Sequence, residues 1–267
     1  MTRAMPIADL GDVSLQYELG GEGPPLLVVN GTGSDLRQRP SLLESPLVRH
    51  FTVLAYDHRG LGRSRAADPS RQPVMGDFAR DALRLCDHLR WERILLLGIS
   101  FGGMVAQEIA LAAGDRIRRL VLACTSPGGA ERASAPLHEV YALPPTERAE
   151  RMARYTDLRA SSDDRRREVL VRIITAAGEA EDPTALPGLR RQLEARRLHD
   201  TWERLPSLRV PTLVAAGRYD GIAPLANAEA LASRIPAATL RVFEGGHVFM
   251  LEDREAWPAM IAFLNGR

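Results

Sequence analysis

Residues 94–103 read Ile94-Leu95-Leu96-Leu97-Gly98-Ile99-Ser100-Phe101-Gly102-Gly103, an aliphatic run that breaks into glycines around one serine. Four aliphatic residues before Gly98 suit a buried strand, and from Gly102 to Ala113 the apolar spacing is helical. A strand joined to a helix by so few residues demands a sharp turn. Small residues two before and two after Ser100 leave room for it. The turn pushes the Ser100 hydroxyl into an exposed, strained position. The helix N-terminus beneath it supplies free backbone N–H groups and the positive end of a dipole. Ser100 is the candidate nucleophile.

Outward from this turn, short apolar runs alternate with helical patterns. Leu26–Val29, Phe51–Tyr56 and Leu120–Ala123 read as buried strands, and Asp77–Leu89 as a helix. Val13–Leu19, after a Gly11-Asp12 turn signal, alternates like an exposed strand. The order predicts βαβ units and a mostly parallel sheet with helices on both faces, an α/β fold. The alternation stops over residues 127–206, where Arg- and Glu-rich helical stretches such as Thr146–Arg159 and Asp163–Ala177 are punctuated by prolines. This predicts a helical insertion, 127–206, in a core made of 1–126 and 207–267. The insertion holds equal numbers of arginines and carboxylates, so its charge runs read as solvated helix faces. The βα pattern resumes with strand Pro211–Ala216, a helix from Ala226 to Arg234, strand Thr239–Phe243 and a C-terminal helix containing Trp257.

A serine hydroxyl needs a base. Of the six histidines, His247 follows the last strand, in Glu244-Gly245-Gly246-His247-Val248. Loops at the C-terminal ends of parallel strands are where open α/β sheets place ligands, so His247 can reach Ser100. The base in turn needs a carboxylate to hold its tautomer. Asp220 lies in Gly217-Arg218-Tyr219-Asp220-Gly221, after the preceding strand and at the same sheet edge. The stretch Thr125–Ala130, the alternative place for an acid, has no carboxylate. Backbone donors for a developing oxyanion are expected at Phe101 N–H and, from the loop Asn30-Gly31-Thr32-Gly33, at Thr32 N–H.

Composition narrows the remaining possibilities. Of 267 residues, 45% are hydrophobic and 26% charged, the balance of a folded globular chain. A net charge of +1 gives no pull toward nucleic acid or an anionic membrane. All 35 basic residues are arginine, which excludes a lysine Schiff base, a P-loop lysine and a Ser-x-x-Lys pair. No zinc-site spacing and no Gly-x-Gly-x-x-Gly after a strand is present, so neither metal nor organic cofactor is expected. Met1-Thr2-Arg3-Ala4-Met5-Pro6 opens no signal-like apolar run, and no segment has the length of a membrane span. Cys86 and Cys124, read in a helix and a strand, are expected as buried thiols. The expectation is a cytoplasmic protein acting on a small molecule, with its oligomeric state open.

On these residues the chain resembles the α/β-hydrolase superfamily over nearly its whole length. Gly98-Ile99-Ser100-Phe101-Gly102 looks like its nucleophile turn, and the order Ser100, Asp220, His247 is the order of its triad. Asp57-His58-Arg59-Gly60-Leu61-Gly62-Arg63-Ser64 is similar to its loop after the fourth strand. The resemblance implies an eight-stranded, mostly parallel sheet with the second strand antiparallel, and a helical cap formed by the insertion. Asn30-Gly31-Thr32-Gly33-Ser34-Asp35, followed by Leu36, is similar to the corresponding loop of 3-oxoadipate enol-lactonases. Many relatives carry His-Gly-x-Pro there, so Asn30 and Gly33 depart from cofactor-free haloperoxidases and perhydrolases. Serine rather than aspartate at the turn departs from dehalogenases and epoxide hydrolases. The implied activity is serine hydrolysis of a small ester or lactone through an acyl-enzyme. Thioester or carbon–carbon bond cleavage on the same triad stands as the alternative, and non-catalytic ligand binding as a third.

Overall fold

The computed structural model describes residues 5–130, 132–179 and 183–267. Residues 1–4 of the N-terminal reading, and residues 131 and 180–182 of the insertion, lie outside them.

The strands are β1 (Ile7–Asp9), β2 (Val13–Gly20), β3 (Pro25–Val29), β4 (Thr52–Tyr56), β5 (Arg65–Ala66), β6 (Ile94–Ile99), β7 (Ile117–Ala123), β8 (Thr212–Gly217) and β9 (Ala238–Phe243). The helices are α1 (Met75–His88), α2 (Phe101–Ala113), α3 (Leu137–Val140), α4 (Pro145–Thr156), α5 (Asp164–Glu179), α6 (Leu186–Arg197), α7 (Leu225–Arg234), α8 (Phe249–Glu252) and α9 (Ala256–Leu264). Eight strands form one sheet in the order β1-β2-β4-β3-β6-β7-β8-β9, with the two-residue β5 paired to β2. β2 pairs antiparallel with β1 and β4, and the pairs from β4 to β9 along this order are parallel. β2 corrects one expectation: flanked on both edges, it buries Val13, Leu15, Gln16 and Tyr17 and is no exposed strand.

β6 sits mid-sheet with Ile94 through Gly98 buried, which is why its sequence is aliphatic without alternation. One face of the sheet packs on α1, α2 and α7, through Phe78, Leu85, Val105, Ile109 and Leu231. The other packs on α9 and the chain before β4, through Leu47, Phe51, Met260 and Leu264. α2 lies across β6, β7 and β3 and is apolar nearly all round, as a helix covered on all sides must be.

Strand order reverses at β3. From β3 the chain steps outward to β4, then returns to the other side of β3 as β6. The loops leaving β3 and β6 therefore diverge and open a crevice at the C-terminal sheet edge. The registers place the ends of β3, β6, β7, β8 and β9 along that edge: Val29 pairs with Gly98, Ile99 with Ala123, Ala123 with Ala215, and Gly217 with Phe243. Ser100, Cys124, Arg218 and Glu244 each follow one of these ends. Cys124 thus lies one residue beyond its strand, with φ +44°, and not within it.

The helical insertion between β7 and β8 carries α4, α5 and α6 above this edge, preceded by the single turn α3. It contributes a small apolar cluster of Ala135, Leu137, Leu189 and Leu193 that includes Leu61 and Ile222 of the sheet domain.

Candidate active site

Ser100 caps α2 with φ 56° and ψ −117°, a conformation that L-residues avoid. Three hydrogen bonds impose it. Ser100 N–H donates to Ala123 O at 2.9 Å, holding the residue in line with β7. Its own carbonyl accepts from Thr125 Oγ1 at 2.8 Å and from Gly103 N–H at 2.9 Å. A Cβ on Gly98 would overlap Gly102 O and come within 2.7 Å of Gly103 Cα, so strand and helix can approach this closely only without one.

The His247 ring spans two groups. Its Nε2 lies 2.9 Å from Ser100 Oγ and its Nδ1 lies 2.8 Å from Asp220 Oδ2. The structure thus brings together Ser100, Asp220 and His247, which are far apart in the chain. Ser100 is 9% exposed and Asp220 1%, so the carboxylate is fully shielded and the serine, expected to be exposed, is itself largely buried. Asp220 Oδ1 accepts from Ile222 N–H at 2.8 Å and Ala223 N–H at 2.9 Å. One oxygen caps the turn and the other faces the imidazole, so turn-capping and ring-orienting coexist in one side chain. The Nδ1–H tautomer donates to Asp220 and leaves Nε2 as an acceptor for the Ser100 proton.

The end of α4 fastens both loops. His247 N–H donates to Thr156 O at 2.7 Å, Gly221 N–H to Tyr155 O at 2.9 Å, and Leu158 N–H to Tyr219 O at 2.9 Å. Asp157, just beyond α4, is ion-paired with Arg159 and Arg166, and these arginines hold Glu252 below His247. Nothing in the local sequence signals this bracket.

In the loop after β3, Gly31 N–H is taken by Asn30 Oδ1 at 2.9 Å and Gly33 N–H by Gln192 Oε1 of α6 at 2.8 Å. Thr32 N–H and Phe101 N–H meet no acceptor among the described residues. Gly31 faces Ser100 closely enough that a Cβ there would be 3.6 Å from the Ser100 Cβ.

Two residues of the Asp57–Ser64 loop serve this architecture. Buried Asp57 accepts from Leu36 N–H at 2.7 Å and Arg63 N–H at 3.2 Å, tying the loop after β3 to the loop after β4. Burial, only partly offset by those bonds, pushes its carboxyl up to about 6. His58 donates from Nε2 to Asn30 O at 3.2 Å and packs edge-on against Phe101 and Phe78, ring centres 5.2 and 5.6 Å away. Burial holds it down at about 4, so it is neutral and steadies the backbone on both sides of the serine. Its place in the sequence, two residues past a strand, gave no sign of this.

Cys86 and Cys124 are free and buried, and burial raises both thiols, Cys86 to about 12. Among the described residues no three of His, Cys, Asp and Glu group closely enough to hold a metal ion, and no helix is long and apolar enough to cross a membrane. A crevice of about 340 Å³, lined by none of the three triad residues, is walled by Asn30, Asp35, Leu42, Glu44, Val248 and Trp257 among others. Ile99, also in its wall, precedes Ser100, and Val248 follows His247.

Comparison with known proteins agrees with the fold. Residues 24–254 match the model of a family described as the alpha/beta hydrolase fold. The chain is 30% identical to the RutD protein of Azorhizobium caulinodans, provisionally named a carbamate hydrolase, over 96% of this chain and 97% of that one. It is similar in structure to a hydrolase from Pseudomonas aeruginosa PA01, at TM-score 0.82 and 30% identity over the full length of both. It is also similar to the enol-lactonase from Burkholderia xenovorans LB400, at TM-score 0.80 and 25% identity over 98% of this chain and 100% of that one.

Proposed function

The chain belongs to the alpha/beta-hydrolase family, and we propose that it cleaves a small-molecule carboxylic ester or lactone through an acyl-enzyme on Ser100. The observation that carries this reading is the His247 ring lying 2.9 Å from Ser100 Oγ and 2.8 Å from Asp220 Oδ2. His247 Nε2 takes the Ser100 proton as Oγ attacks the substrate carbonyl carbon. The imidazolium that forms is stabilised by the Asp220 carboxylate. The carbonyl oxygen becomes an oxyanion and accepts from Phe101 N–H and Thr32 N–H. When the intermediate collapses, the carbon–oxygen bond to the leaving alcohol breaks and His247 returns the proton to that oxygen. A water molecule, deprotonated by His247, then attacks the acyl carbon. The products are a carboxylic acid and free Ser100; for a lactone, alcohol and acid remain one molecule.

The test is hydrolysis of a graded set of p-nitrophenyl esters and small lactones by the wild type and by Ser100→Ala. The expected result is multiple turnover by the wild type and a loss on the order of 10³-fold or more in the variant, with an unchanged unfolding midpoint. Equal rates for the two proteins would remove Ser100 from the reaction. No turnover of any member by either protein would favour a binding role.

A further inference from the structure

Arg159 stands where the helical insertion meets the two loops that carry Asp220 and His247. It lies in the turn just past α4, and its guanidinium is used on three sides. Nε and Nη2 donate to Asp157 Oδ1 and Oδ2 at 2.9 and 2.7 Å. Nη2 also donates to Glu252 Oε2 of α8 at 3.0 Å. The face of the guanidinium lies over Tyr219, 4.2 Å from the ring centre.

Each of these contacts leads to a residue of the triad. Glu252 Oε1 accepts from Gly246 N–H, next to His247, at 3.0 Å. Tyr219 precedes Asp220, and its N–H donates to Gly245 O at 2.9 Å, which joins the two loops to each other. Asp157 continues the segment whose Tyr155 and Thr156 carbonyls accept from Gly221 and His247 N–H. A Cβ on Gly246 would overlap Thr156 O, so that segment presses directly on the backbone before His247.

Asp157 is 2% exposed. Burial works to raise its carboxyl, but the hydrogen bonds and charge of Arg159, with the charge of Arg166, more than offset this and hold it below its ordinary value. It therefore stays ionised at neutral pH and keeps the guanidinium in place. The charge runs of the insertion are thus not all solvated faces: Asp157 is an inward-facing exception. The Arg159 and Glu252 side chains, in contrast, are each 30% exposed. An ion pair open to solvent to that degree adds little stability. A planar fork that bridges two carboxylates and covers a ring fixes geometry instead.

Resting on the serine-hydrolase reading above, we propose that Arg159 is a positioning residue for turnover, setting the His247 loop through Glu252 and the Asp220 loop through Tyr219. It touches neither the substrate nor the reacting atoms. What it governs is the placing of the His247 ring between Ser100 Oγ and Asp220 Oδ2, where a shift of about 1 Å is enough to cost on the order of 10²-fold in rate.

The experiment measures kcat and KM on p-nitrophenyl butyrate, together with Tm, for Arg159→Met, Arg159→Lys, Glu252→Gln and the double variant of Arg159→Met with Glu252→Gln. Arg159→Met should lower kcat about tenfold or more, with KM within about twofold and Tm within a few degrees of the wild type. Arg159→Lys restores the charge without the fork and should recover only part of the rate. Glu252→Gln keeps an acceptor for Gly246 N–H and should lose a few-fold. The double variant should be about as slow as Arg159→Met alone, because both changes break one path. An Arg159→Met with kcat within about twofold of the wild type overturns the proposal. So does a raised KM at unchanged kcat, which marks Arg159 as shaping a pocket, and so do losses that multiply in the double variant. If Arg159→Met does not fold, wild-type kcat in both Arg159→Lys and Glu252→Gln overturns it. All of these outcomes leave the hydrolase reading standing. Turnover by the wild type no faster than by Ser100→Ala overturns both.

Discussion

A Cβ on Gly102 would overlap the carbonyl oxygen of Val29 and come within 2.6 Å of Asn30 O. The first turn of α2 thus lies against the end of β3, and this contact sets the distance between the Ser100 turn and the loop carrying Thr32. Both obstructing atoms are backbone, so neither can rotate away.

Gly102→Ala should therefore cost stability and activity together. Overpacking against backbone is expected to cost about 3 kcal/mol or more, a fall of several degrees in Tm for a chain of this size. Thermal unfolding and kcat on an activated ester, measured on the same preparation, check this. A variant with wild-type Tm and rate would show that the two loops are not held in register by this contact.

Stability should fall as the pH is lowered from about 6.5 to about 4. Burial holds His58 down at about 4 and His199 at about 3, whereas in the unfolded chain both titrate near 6.5. Groups with depressed folded values contribute stability above 6.5 and lose it as protons bind the unfolded chain. Asp57 works in the opposite direction. Raised to about 6, it contributes stability at low pH that is lost as the pH climbs from about 4 to 6. The two histidines outweigh Asp57, leaving a net loss of stability between pH 6.5 and 4. Urea midpoints across that range check the sign. A midpoint that rises on acidification would contradict the neutral, buried state of the two histidines.

Asp220→Asn should fold and yet turn over slowly. The amide oxygen can replace Oδ1 in accepting from Ile222 and Ala223, so the turn survives. The amide nitrogen then faces His247 Nδ1, where it favours the tautomer with the proton on Nε2 and removes the charge that stabilises imidazolium. The expected loss in kcat is on the order of 10²- to 10⁴-fold with an unfolding midpoint near that of the wild type. A loss of stability with kcat kept within a few-fold would mean that Asp220 only caps its turn.

The strand, turn and helix around Ser100 were legible because a doubly buried parallel strand needs Ile94–Leu97 to be aliphatic, and the close turn admits only small residues at Gly98 and Gly102. His247 and Asp220 were legible for a topological reason: residues just past parallel strands share one edge, so their meeting in space needed no further signal. What escaped the sequence depends on contacts across the fold. β1 and β5 have three and two residues, too short for a pattern. β2 alternates as a half-buried strand does, yet neighbours on both sides bury it. Gln192 and Arg196 look like any polar residues on an arginine-rich helix, and only the docking of α6 on the Gly33 and Ala135 loops buries them. Thr156 acts through its carbonyl on His247 N–H, a role that any residue type could fill.

The central claim is that Ser100 carries the acyl group during turnover. It is tested most directly by acid-quenching the wild type within the first turnovers of a p-nitrophenyl ester, then locating the added acyl mass by peptide mapping. The account predicts one acyl group per chain, on the peptide and residue of Ser100, and none in Ser100→Ala. Acylation of a different residue, or steady turnover with Ser100 replaced, would contradict it.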